Sequence, residues 1–128
     1  MNQPSTYRRN VAATALIATA VLSAVSVALQ PALTGDGAQR LSALRDAGPS
    51  AAISAATFVL AQLPLIVAVL GIGHLLRSGS PRLSASGTTV SVLGAFGHAV
   101  IGGVMLAQVA MAADPAAGRR AAYAALVD

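Results

Sequence analysis

Residues 85–112 read ASGTTVSVLGAFGHAVIGGVMLAQVAMA, and this stretch decides the fold. It contains no Asp, Glu, Lys or Arg, and a membrane-spanning helix needs about 20 mostly apolar residues. Two comparable uncharged runs precede it, at residues 10–30 and 52–76. The sequence therefore predicts an all-α membrane protein, a bundle of three transmembrane helices with short interfacial helices between and after them.

The composition excludes most other classes of protein. Hydrophobic residues make up 55% of the 128 residues and charged residues 9%, against about 25% charged in a soluble domain. The chain has no cysteine, which excludes disulfides and Cys-ligated metal sites. Its arginines are scattered between apolar runs and aromatic residues are few, so the net charge of +4 does not indicate a nucleic-acid partner. The expected partner is the lipid bilayer.

The arginines predict how the chain is threaded. Residues 1–9 and the turn at 77–84 carry arginine without any acid, whereas all four aspartates lie in residues 31–51 and 113–128. Each side holds four arginines, so their number alone does not decide the orientation. Because short basic segments stay in the cytoplasm, we expect the N-terminus and the 77–84 turn inside the plasma membrane and the other two segments outside.

The first run has a second interpretation. It also has the features of a cleaved signal peptide, which are a basic start, an apolar stretch and a small-x-small site at Ser26–Ala28. The Arg8–Arg9 pair could serve twin-arginine export. Two more spanning runs follow, which favours an uncleaved first span.

Both outside segments predict a short helix at the membrane surface. Asp36 and Gln39 have the spacing of a capping box, and Leu41 and Leu44 are expected to face the membrane.

In residues 113–128, Asp114 and Pro115 suit a helix start. Tyr123 and Leu126 are expected to face the membrane in the same way. The pattern apolar-x-Ala-Leu-x-Asp occurs at 41–46 and again at 123–128. This repeat suggests a fragment of a protein with four or more spans; the alternative is a complete three-span protein.

The Arg-bearing start, the Leu-Arg-Asp of residues 44–46 and the turn GHLLRSGSPRL at residues 73–83 resemble uncharacterised small multi-pass integral membrane proteins of high-GC bacteria. The resemblance covers most of the chain. It implies a membrane location and no particular activity.

Stripes of small and polar residues predict which helix faces meet, because helices in lipid pack through small residues and hydrogen bonds. In the second span the candidate is Gln62, close to Pro64. In the third span, glycines flank a histidine on a face that also includes Gly87, Ser91 and Met105. The candidate packing residues are Thr19, Ser23, Ser26 and Gln30 in the first span, Gln62 in the second, and Gly94, His98 and Gly102 in the third.

His98, near mid-membrane, allows three interpretations. A haem between helices needs two imidazoles at one depth, but His74 lies about 20 Å from the level of His98. A proton relay needs charged partners, and the spans contain none. We therefore favour a structural role, in which neutral His98 donates a hydrogen bond to Ser23, Ser26, Gln62 or a backbone carbonyl.

Nothing in the sequence forms a catalytic, metal-binding or cofactor-binding motif. We therefore expect that the protein is not an enzyme and binds no cofactor. We expect a helical scaffold or subunit that associates with itself or with further spans missing from this sequence. The alternative is a small transporter or channel-like protein with Gln62 and His98 on a polar pathway.

Overall fold

The structure, a computed structural model, describes residues 6–113 and Val127, and the described part is helical without strands. Three of its helices are long and apolar enough to cross a membrane. The all-helical chain with three candidate spans is thereby confirmed. The helices are α1 (Thr6–Leu29), α2 (Gly37–Ala47), α3 (Pro49–Leu76) and α4 (Pro81–Ala113). Each span begins earlier than the 10, 52 and 85 expected from the sequence.

The start of α2 is the predicted capping box. The backbone N–H of Gln39 donates to the Asp36 side chain at 2.9 Å, and the Gln39 side chain accepts from the Asp36 N–H at 3.2 Å. Gly48 ends the helix with a φ of 53°, a conformation that glycine adopts at little cost. Pro49 then occupies the first turn of α3, where its missing N–H is not needed.

The three spans lie side by side in one row with α3 in the middle. α1 packs against α3 and α3 against α4, whereas no Cα atom of α1 lies within 8 Å of one of α4. Neighbouring spans are antiparallel, because Arg8 at the start of α1 and Ser84 at the start of α4 both contact the end of α3. The predicted bundle is therefore a layer one helix thick. Arg8, Arg9, Arg77 and Arg82 lie at one end of it, called the basic end below.

At the opposite end, α2 folds over α3 and α4. Leu41 and Leu44 are buried in a cluster with Ala51 of α3 and Ala112 of α4. The prediction that these leucines face the membrane is wrong, because the end of α4 covers the apolar side of α2. An amphipathic helix shows which side is apolar but not whether lipid or protein covers that side.

The predicted tail helix at residues 113–128 falls largely outside the described residues. Asp114, Pro115, Tyr123 and Leu126 are among those that the structure does not describe. Val127 is helical, partly buried and packed against the cluster around Leu41 and Leu44.

Candidate functional site

Two serines join α1 to α3. Ser26 Oγ donates to the carbonyl of Ser54 at 2.9 Å, and Ser54 Oγ donates to the carbonyl of Ser26 at 2.8 Å. The side chains are only 3% and 1% exposed. We call this reciprocal pair the serine clamp. It ties the α2-side end of α1 to the start of α3.

The rest of the α1–α3 contact consists of small residues. Ala12 and Ala15 are buried on α1, and a Cβ added at Gly71 would lie 2.7 Å from the Cβ of Ala12. Thr19 is partly buried and donates to the Ala15 carbonyl of its own helix. Among the described helices α1 packs only against α3, and the buried Ser26 places that side of the candidate stripe against α3. Ser23 is partly buried, and Gln30 lies beyond the helix end and is exposed.

Glycines and hydroxyls also bring α3 and α4 together. Ser84 Oγ donates to the carbonyl of Gly73, and a side chain at Gly73 would collide with the Thr88 hydroxyl. Further along, a Cβ at Gly102 would lie 3.0 Å from Phe58 and closer still to Val59. The two helices therefore depend on Gly73 and Gly102 for their close approach.

The packed side of α4 differs from the stripe expected from the sequence. Ser84, Ala95, Gly102 and Ala112 are buried, whereas Gly94 and His98 are exposed. At 100° per residue, the centre of the expected stripe lies about 60° around the helix from Ala95. Of the three candidates on α4, Gly102 packs against α3, whereas Gly94 and His98 remain candidates for contact with another helix. Alanine allows close packing as glycine does, and α4 has small residues on both sides.

His98 lies at the edge of the α3–α4 interface. Its Nδ1 is 2.9 Å from the Gly94 carbonyl, and its ring lies 5.9 Å from the Phe58 ring between centroids, with an interplanar angle of 50°. A carbonyl only accepts, so Nδ1 carries the proton. Of the partners expected for His98, the structure shows a backbone carbonyl of its own helix. Ser23 and Ser26 lie on α1, which does not touch α4.

Gln62 is buried, one turn along α3 from Phe58. Its Nε2 donates to the Phe58 carbonyl at 3.0 Å, a bond within α3. Its Oε1 is buried without a hydrogen-bond partner among the described residues. An unsatisfied buried acceptor costs about 1–3 kcal/mol.

At the basic end, an arginine of α1 contacts His74 of α3. Arg8 Nη1 lies 2.7 Å from His74 Nε2, and a guanidinium is always a donor. Nε2 therefore accepts, which places the ring proton on Nδ1. His74 is exposed.

Sequence reasoning missed Ser54 and Ser84, the two serines of α3 and α4 that donate across helix interfaces. A signal for Ser54 was available, because Ser54, Ala61 and Ala68 follow one another at intervals of seven residues. This spacing places three small residues on one face of α3. Across the part of the chain that the structure describes, no three His, Cys, Asp or Glu side chains could together hold a metal ion.

Comparison with protein-family models, with curated proteins and with solved structures gives no match. The function is therefore argued from the geometry of the chain itself.

Proposed function

We propose that this chain is a plasma-membrane protein without catalytic activity that serves as a helical subunit of a larger assembly. Its basic end lies in the cytoplasm, and so does the N-terminus. The arginines at this end are Arg8, Arg9, Arg77 and Arg82, and residues 1–35 and 47–113 contain no acid. At the other end, Asp36 caps α2 and Asp46 lies in its last turn. Short basic segments are retained on the cytoplasmic side, which supports this orientation.

The observation that carries the proposal is an open flank on α4, formed by Gly87, Ser91, Gly94 and His98. All four are exposed, and no heavy atom lies within 4 Å of a Cβ added at Gly87 or Gly94. Elsewhere the outer side of α4 carries large apolar residues such as Phe96 and Val100, which suit lipid.

A flank of this kind has a physical cost when lipid covers it. Glycine contributes no side chain to lipid contact, but it lets a second helix backbone approach closely. A titratable ring near mid-membrane is also costly against lipid, and such residues almost always face protein or water. A further transmembrane helix packed on the open flank shields the His98 ring from lipid, and the glycines let the backbone of that helix approach closely.

We assign that helix to α4 of a second copy. A twofold axis along the membrane normal brings the same residues together at one depth, so the glycines of one flank meet those of the other. The row arrangement leaves this side of α4 free of α1. The other possible occupant, a span from a longer chain, is tested by the same experiment.

The experiment measures association of the purified 128-residue chain in lipid vesicles by energy transfer between labelled copies. Gly94→Leu fills the open flank, and we expect it to weaken association at least tenfold, about 1.4 kcal/mol. Gly103→Leu is the matched control, since Gly103 is also open but lies on the other side of the helix. Equal effects of the two substitutions contradict the proposed surface. A monomeric unsubstituted chain contradicts the second copy as occupant.

The buried Oε1 of Gln62 favours a second candidate, a small transporter with Gln62 and His98 on its pathway. The two proposals differ in what Gln62→Met does. A subunit without transport gains stability or is unchanged, since the unsatisfied acceptor is replaced by an apolar side chain of similar shape. A transporter loses pH-dependent flux into vesicles while the chain still folds.

A further inference from the structure

A cleft of about 380 Å³ opens between α3 and α4 at the basic end. Its volume falls within the roughly 300–1,000 Å³ range of small-molecule sites. Arg77, His74 and Thr89 line it and are exposed, Thr88 is partly buried, and Leu70 is 51% exposed. The cleft is therefore cationic and rich in hydroxyls near the turn, and apolar at Leu70, farther along α3.

The polar groups of the cleft have unused hydrogen-bonding capacity. The Arg77 guanidinium makes no hydrogen bond or ion pair with any described residue. Thr19, Thr57 and Ser86 donate to carbonyls of their own helices, as hydroxyls in apolar helices usually do. The Thr88 and Thr89 hydroxyls make no such bond within residues 6–113, and both line the cleft.

The chemistry of these groups selects an anion. Arginine binds phosphate with parallel N–H donors, and threonine hydroxyls are further donors. With His74 Nε2 accepting from Arg8, the Nδ1–H of the ring is a further donor. No acidic side chain lines the cleft, so nothing there repels a phosphate.

The shape of the cleft favours a lipid over a free anion. Leu70 lies about 10 Å along the axis of α3 from Arg77, so the cleft runs from the turn down toward the apolar part of the helices. An amphiphile matches this gradient, with its phosphate at Arg77 and its glycerol and first methylenes beside Leu70. Basic pockets between helices on the cytoplasmic side are the kind that bind lipid headgroups.

We propose that this cleft is a binding site for the phosphate headgroup of an anionic phospholipid, with Arg77 as the charged contact and Thr88 and Thr89 as hydroxyl donors. The site is independent of the open flank and of the second copy, because it is formed by α3 and α4 of one chain.

The test uses delipidated full-length protein in a neutral detergent, titrated with dioleoylphosphatidylglycerol and read by native mass spectrometry. We expect one lipid to bind in preference to dioleoylphosphatidylcholine, and Arg77→Gln to raise its Kd about tenfold. Arg82→Gln is the matched control. It removes the same charge from the same turn, yet Arg82 does not line the cleft, so its Kd should stay within about twofold.

A second variant tests the shape of the cleft without changing its charge. Ala85 lines the cleft, so Ala85→Leu obstructs it without altering charge and should also raise the Kd about tenfold. Ser86→Leu is the control on the neighbouring position. Equal effects of Arg77→Gln and Arg82→Gln, or no effect of Ala85→Leu, overturn the site in favour of general surface charge. Displacement of the lipid by millimolar inorganic phosphate assigns the cleft to a soluble anion instead and overturns the lipid proposal.

Discussion

The serine clamp predicts an unequal response to two chemically identical substitutions. Ser54→Ala removes the only described hydrogen bond to the carbonyl of Ser26. That carbonyl is among the last four of α1, which have no partner within the helix, and the Gln30 N–H next in line donates to Val27 instead. Ser26→Ala removes a bond to the carbonyl of Ser54, which still accepts from Thr57 Oγ1 at 3.0 Å.

The magnitudes follow from these partners. Ser54→Ala leaves a buried acceptor unsatisfied and should lower the free energy of unfolding by about 1–3 kcal/mol. Ser26→Ala loses one interhelical hydrogen bond and orphans nothing, so it should cost about 0.6–1.7 kcal/mol. Because the two serines bond each other directly, the cost of the double substitution should differ from the sum by a coupling energy of about 0.5–3 kcal/mol.

The assay is reversible unfolding in mixed micelles with increasing dodecyl sulfate. The chain has no cysteine, so dyes attached after Asn10→Cys and Ser78→Cys report the separation of α1 from α3. Ser86→Ala is the control, since this exposed hydroxyl bonds only within its own helix and should have little effect. A Ser26→Ala cost larger than that of Ser54→Ala, or equality of both with the control, refutes the clamp.

Three further predictions concern packing and capping. Gly102→Ala should lower stability in the same titration by about 1–3 kcal/mol, because the added methyl group crowds α3. Its control, Gly103→Ala, should be neutral or stabilise by up to about 1 kcal/mol. The reverse order of the two effects contradicts the α3–α4 interface. Gly71→Val should separate α1 from α3, and unchanged energy transfer would count against their contact. Asp36→Ala should weaken α2 by about 0.5–2 kcal/mol, seen as faster hydrogen exchange in α2 alone; uniform exchange contradicts the cap.

The sequence was sufficient for the features that depend on local chemistry. The three spans follow from runs without charge, and the capping box follows from the spacing of Asp36 and Gln39. On the first span, the stripe of polar residues at Thr19, Ser23 and Ser26 marks the side of α1 that packs against α3, its one neighbour among the described helices.

The rotation of α4 could not be predicted, for a physical reason. Ala95 and Gly94 are adjacent and both small, so composition does not decide which of the two faces α3. The choice depends on which neighbour fits, including Phe58 and Val59 against Gly102. For the same reason His98 was expected inside the layer and lies instead at its edge. The burial of Leu41 and Leu44 depends on the end of α4, which is distant in sequence.

The measurement that tests the central claim most directly is a cysteine cross-linking scan along α4. Single cysteines are placed one at a time at positions 84 to 103 of the cysteine-free chain, and membranes are oxidised before electrophoresis. A second copy on the open flank predicts cross-linked dimers that peak at 87, 91, 94 and 98 and are weak at 84, 95 and 102. Peaks at 84, 95 and 102, or no cross-link at any position, would contradict the account.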